Sequence, residues 1–181
     1  QTSALDIAII GLSGRYPQAE NIDSFWQKLR DGTDLITEVP ETRWDWQRYY
    51  STDRSQSGKH FSKWGGFIDG VDEFDPLFFN ISPSEAEIID PQERLFLQES
   101  WKALEDSGYT RSALSALKSN DDVGSLGQVG VYAGVMFGQY QLFSSDKLVT
   151  SSSFASVANR VSYVMNLHGP SMTVDSMCSS S

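Results

Sequence analysis

Apolar positions recur every three or four residues in parts of this chain, and elsewhere they bunch into short β-branched runs broken by glycine. In DPQERLFLQESWKALEDSG, Leu97, Trp101 and Leu104 fall at i, i+4 and i+7, on one face of a helix. Asp90 can cap that helix, Pro91 suits its first position, and Glu93 stands three residues after the cap, a variant capping box with aspartate in the usual Ser/Thr place. Gly108 supplies the stop, and the acids on the opposite face read as a solvated surface. A second helix is expected in SSSFASVANRVSYVMNLHGP, where Phe154, Val157, Val161 and Val164 lie near one face and Gly169-Pro170 follows. ENIDSFWQKLRDG predicts a shorter amphipathic helix, with Asn21 or Asp23 as N-cap, Phe25, Trp26 and Leu29 on one side and Gly32 past the last turn.

The apolar run from Leu5 to Ile10, ending at Gly11 and Gly14, predicts a buried strand passing into a tight loop. VGVYAGVM, interrupted by Gly130 and Gly134, predicts another, and SMTVDS, with Met172 and Val174 alternating, a third that leads straight into Cys178. Ser119 to Gln128 is loop by composition. From about Val39 to Gly70 periodicity fades while Trp44, Trp46, Tyr49, Tyr50 and Trp64 persist beside several cations. Interleaved acids argue against a nucleic-acid stacking surface and for a long ordered loop packed by its own aromatics. The chain has no internal repeat or low-complexity tract, and strands alternating with helices point to a mixed α/β layer architecture.

Composition narrows the class. With 181 residues, 39% hydrophobic and 12% aromatic, the chain can bury a sizeable core. Its formal net charge is −10 and its lysines and arginines are scattered, so no stripe would neutralise a row of phosphates, and nucleic acid is not an expected partner. A single cysteine cannot form an internal disulfide, and the start lacks the pattern of a secretory signal, which fits a reducing cytoplasm. No run approaches the roughly 20 apolar residues that span a bilayer, so no membrane is expected either.

Two features carry candidate chemistry. Gly11 and Gly14 form only G-x-x-G, without the dinucleotide fingerprint or the P-loop lysine, so a structural loop is the better reading than a phosphate site. Cys178 is the second. A free thiol with a pKa near 8.5 is only about 3% thiolate at neutral pH. A strand ending near Asp175 to Met177, followed by Ser179, Ser180 and Ser181, suggests a strand-to-helix turn that would aim unpaired amides and a helix dipole at the sulfur. Those amides could also help form an oxyanion hole. From spacing alone a lone cysteine after a strand is more often a small buried hydrophobe, and composition does not settle the choice.

Longer stretches do. DIAIIGLSGRYPQAENIDSFWQKLRDG, FDPLFFNISPSEAEIIDPQERLFLQESWKALEDSGYT and ANRVSYVMNLHGPSMTVDSMCSSS, in that order, strongly resemble the N-terminal part of a β-ketoacyl synthase, the condensing domain of modular polyketide synthases. GKHFSKWGGFIDGVDEFDPLFF and VGVYAGVMFGQYQLF are similar to bacterial assembly lines served by a separate (trans) acyltransferase. The resemblance implies a thiolase-like fold, two similar α/β halves in layered α-β-α-β-α order, of which residues 1–181 would cover most of the N-terminal half. Cys178 matches the acylated nucleophile, three residues after Asp175, while Ser176 and Met177 stand where threonine and alanine are most common.

The chemistry implied is acyl transfer: attack by Cys178 on a thioester held by the phosphopantetheine arm of an acyl carrier protein, then decarboxylative Claisen condensation with a malonyl-type extender. No cofactor or metal would be bound directly. Implied partners are the carrier protein, neighbouring polyketide synthase domains and, for the full domain, a second copy as homodimer. The family's two catalytic histidines follow the cysteine well beyond residue 181, so the chain would end just after its nucleophile and lack the histidine-bearing half. His60 and His168 match neither and read as ordinary loop or surface residues. Other readings are a non-elongating ketosynthase that passes acyl chains on without condensation, and a non-catalytic carrier-docking or dimerisation module. The isolated chain is expected to expose apolar surface and be unstable.

Overall fold

The computed structural model describes residues 6–117, 128–140 and 153–180. They fall into two compact units, Gly14–Gly70 and a larger one built from Gln1–Ser13 and Val71–Ser181.

In the larger unit, strands β3 (Val131–Gly134) and β4 (Ser171–Val174) lie parallel, with Val131 opposite Ser171 and Gly134 opposite Val174. Parallel neighbours need a crossover, and helix α5 (Phe154–Met165) supplies it, packing on both strands. Its apolar face is legible in the exposures: Val157, Ala158, Val161 and Met165 are buried against Val131, Ala133 and Val135. Asn166 ends α5 in the left-handed region at φ 57°, and the Leu167 amide reaches back to the Ser162 carbonyl at 2.8 Å. Asparagine tolerates that conformation, so the chain can reverse into β4 within a few residues.

Helix α3 (Pro91–Asp106) covers the same core. Asp90 caps it by accepting the Gln92 amide at 2.9 Å, Leu97 is fully buried, and Gly108 stops it at φ 74°. Trp101 is half-buried, its ring edge-on to Phe78 at 4.9 Å, while Phe74 stacks on Phe79 at 5.3 Å. Two short helices, α2 (Pro83–Ala86) and α4 (Arg111–Ser115), flank it, capped by Ser82 and Thr110. Full burial of a side chain the size of Leu97 or Met165 is worth roughly 1.5–3 kcal/mol, so the α3/α5/β3/β4 core is where this unit's stability is concentrated.

Three sequence expectations fail here. The run from Leu5 to Ile10 does not form a buried strand over its described residues: Ile7, Ile9 and Ile10 are 94%, 83% and 62% exposed. A strand requires a neighbour for its hydrogen bonds, and no described strand lies beside this run. Glu93 does not close a capping box, and the acids of α3 are not all solvated. Glu93 is 1% exposed and its carboxylate turns to Arg160 and Ser156 of α5. Glu99 and Asp106 are also engaged, accepting from the Ser13 hydroxyl and, at 2.9 Å, the Leu12 amide. The loop expected over Ser119–Gln128 lies, but for Gln128, outside the described residues.

The smaller unit holds helix α1 (Ile22–Arg30) and a two-residue antiparallel ribbon of β1 (Thr37–Glu38) and β2 (Trp64–Gly65). Asn21 caps α1 in a full box with Ser24, and Gly32 follows at φ 64°. The aromatic loop packs on itself as expected. Trp44 meets Tyr49 at 5.6 Å and the His60 ring at 4.9 Å, and Trp46 meets Tyr50 edge-on at 5.4 Å. Lys63 and Arg54 lie over Trp46 and Phe61, so rings and cations satisfy one another.

Candidate active site

Functional groups in parallel α/β layers gather at the carboxyl ends of the strands. At those ends here stand the segment from Val135 to Phe137, after β3, and the turn from Asp175 to Ser180, after β4. The Val135 amide still bonds to the Val174 carbonyl at 3.1 Å, so the two segments leave the sheet side by side.

The turn is held by its own polar groups. Asp175 Oδ1 accepts the Met177 amide at 3.0 Å, and the Ser180 hydroxyl accepts the Ser176 amide and donates to the Met177 carbonyl, both at 2.8 Å. Ser179 and Ser180 amides return to the carbonyls of Ser176 and Met177 at 3.2 and 3.1 Å, closing a single 3-10 turn over Met177–Ser179. Met177 sits at φ 56°, where a side chain with a Cβ is held against its preference by about 1–2 kcal/mol. Cys178 is at the crest of this turn and is exposed.

Cys178 is thus exposed among the described residues rather than buried, and β4 leads not into a helix whose unpaired amides face the sulfur but into one tight 3-10 turn with Cys178 at its middle. Four amides of the turn are committed to its own oxygens; the amide of Cys178 is not among them, which leaves it as a donor for a carbonyl oxygen held beside the sulfur.

The other sequence candidates lie elsewhere. His168 is exposed at the entry to β4, so the four-residue strand, roughly 13 Å long, separates it from the thiol. His60 belongs to the smaller unit, its Nδ1 2.6 Å from the Ser62 carbonyl. Gly11 owes its place to packing: a Cβ there would sit 2.3 Å from the Ala103 carbonyl oxygen of α3. The carboxylates of Glu99 and Asp106 meet the loop beside it, which disfavours a phosphate. A hollow of about 520 Å³ lined by Trp101, Arg111, Tyr163, Asn166 and His168 also opens at the far end of β4 from Cys178. Among the described residues no group of three or more His, Cys, Asp or Glu is arranged to hold a metal ion, and no helix is long and apolar enough to cross a membrane.

Sequence reasoning missed two groups. Gly134 lies in close backbone approach to Ser180, and Arg160 of α5 pairs with Glu93 of α3; the glycine inside a β-branched run was the one available signal of close backbone approach.

Comparison with known proteins settles the family. The sequence model described as "Beta-ketoacyl synthase, N-terminal domain" matches residues 4–181. The chain belongs to the β-ketoacyl synthase family. It is 56% identical over 182 residues to polyketide synthase PksL of Bacillus subtilis and 55% identical over 181 residues to polyketide synthase ThaG of Burkholderia thailandensis. Each alignment covers 97% of this chain but only 4% and 3% of those proteins. Among solved structures, an oxazolomycin ketosynthase domain of Streptomyces albus superposes with a TM-score of 0.86 at 49% identity, covering 96% of this chain and 29% of that one. The ketosynthase from module 6 of the bacillaene synthase of Bacillus subtilis gives 0.79 at 41%, covering 96% and 27%. This β-ketoacyl synthase chain therefore has the thiolase-like α/β fold, as the resemblance implied, and spans under a third of those ketosynthase domains.

Proposed function

We propose that this chain is the N-terminal portion of a polyketide ketosynthase and supplies its acyl-accepting nucleophile, Cys178. The thiolate attacks the carbonyl of an acyl thioester on the phosphopantetheine arm of an acyl carrier protein; the new carbon–sulfur bond forms, the old one breaks, and the carrier thiol leaves. A malonyl-type extender then loses carbon dioxide, its carbanion attacks the acyl-enzyme carbonyl, and the Cys178 thiolate is expelled. Catalytic histidines for the second step, neighbouring polyketide synthase domains and a homodimer partner would come from outside residues 1–181.

One observation carries this reading: Cys178 sits on a hydrogen-bonded turn at the carboxyl end of the parallel strand β4, directly after Met177 in the left-handed region. A structural cysteine has no need of the left-handed residue before it. The family match and the polyketide synthase relatives supply the substrate class.

The test is intact-mass spectrometry of the ketosynthase domain carrying this chain after incubation with a short acyl thioester. One acyl group gained by the native domain and by none of the Cys178→Ala protein is expected. An adduct that survives Cys178→Ala, or none on the native domain, would overturn the assignment.

A further inference from the structure

We propose that Gly134 is a positioning residue for Cys178, acting through Ser180; this rests on the reading of Cys178 as nucleophile. Gly134 ends β3 opposite Val174, on the sheet face that also carries Tyr132 and Met172. After β4 the chain curls back over that face. It brings the Ser180 carbonyl oxygen to 2.2 Å, and the carbonyl carbon to 2.9 Å, from the point a Gly134 Cβ would occupy. Both are backbone atoms, so no rotamer change can make room. The absence of a side chain at 134 is what lets the turn seat.

Ser180 is also the residue that closes the turn, through the Ser176 amide, the Met177 carbonyl and its own amide. Pushing Ser180 away from β3 therefore moves both strands of the turn that flank Cys178. Strain concentrated at Met177 persists only while those contacts hold it. Gly134 and Ser180 together thus fix where the thiol and its amide point, without either touching a substrate.

The test uses the intact ketosynthase domain and follows acyl loading of Cys178 in time for the native protein, Gly134→Ala and Ser180→Ala. Gly134→Ala is expected to load about a hundredfold more slowly, a loss typical of a displacement near 1 Å, yet to the same final extent and with unchanged KM for the acyl donor. Ser180→Ala, which keeps the glycine but removes the hydroxyl, should slow loading in the same direction by less. Loading at the native rate overturns the proposal, and so does a native rate with reduced extent, which marks a misfolded fraction rather than a misplaced thiol. If Gly134→Ala fails to fold, the rate of Ser180→Ala decides. If the native domain does not load at all, the nucleophile reading has failed and hydrogen exchange decides this proposal separately. Faster exchange at the amides of residues 177–180 in Gly134→Ala, with α5 unchanged, supports it, and identical exchange overturns it.

Discussion

Glu93 of α3 and Arg160 of α5 form an ion pair inside the larger unit, with side chains only 2% and 16% exposed. The second Glu93 oxygen accepts the Ser156 hydroxyl at 2.5 Å, and Arg160 reaches Glu85 at 2.8 Å. Burial alone would pull the Arg160 pKa down, but its hydrogen bonds to Glu93 and Glu85 outweigh that and raise it above the ordinary value. The pair ties α3 to the helix that runs into β4 and so into the Cys178 turn.

Removing one partner is costly because the other charge stays buried. Arg160→Leu should destabilise the fold by about 3–5 kcal/mol by leaving Glu93 uncompensated. Glu85→Ala, which removes a partner 42% exposed, should cost less than about 1 kcal/mol. Urea denaturation of the intact domain measures both, and equal losses would show that Glu93 is not the dominant partner.

What the sequence showed and what it hid divides along local and long-range forces. The ends of α3 were legible because Asp90, Pro91 and Gly108 act within a turn or two of themselves, whereas α5 stops at left-handed Asn166, ahead of the expected Gly169-Pro170. The self-packed aromatics around Trp44 and Trp46 were legible for a similar reason: their partners lie a few residues away or just across the loop. Glu93 was misread since its partner is 67 residues along the chain, and the Leu5–Ile10 run because strand formation depends on a neighbour, not on the run itself. The candidate site divides the same way: Cys178 could be nominated from its motif, whereas the contact of Gly134 with Ser180 exists only in the folded chain.

Met177 carries a side chain at φ 56°, a conformation glycine adopts without cost. Met177→Gly should therefore stabilise the domain by up to about 1 kcal/mol, and Met177→Val, β-branched, should destabilise it. The shift in denaturation midpoint gives the sign. A loss of stability in the glycine variant would mean that contacts of the Met177 side chain outweigh the backbone strain.

Gly11 lies against the last turns of α3, its Cβ position 2.3 Å from the Ala103 carbonyl oxygen and 2.8 Å from Ser107 Cβ. Gly11→Ala should lift the loop off the helix, breaking the Leu12 and Ser13 bonds to Asp106 and Glu99, at about 1–3 kcal/mol. Leu97→Ala, in the fully buried core, should cost about 2–5 kcal/mol. Hydrogen exchange separates the two: the Leu12 amide should speed up in the first while most of α3 keeps its protection, whereas the second should loosen the whole helix.

The sheet face turned away from α5 carries Tyr132, Met172 and Val174 at 60%, 49% and 46% exposure, and Ile7, Ile9, Ile10 and Leu12 expose 57–94% of theirs. So much exposed apolar surface in a 181-residue chain favours association, because each Å² removed from water is worth about 25 cal/mol. Expressed alone, residues 1–181 should elute well above 20.2 kDa and bind a hydrophobic dye. Replacing Ile7 and Ile9 by lysine should shift the population toward monomer, since both are already solvent-facing and make little of the described core. Cooperative thermal unfolding from a strictly monomeric native chain would overturn this, and would mean that these residues are stably accommodated without any covering partner.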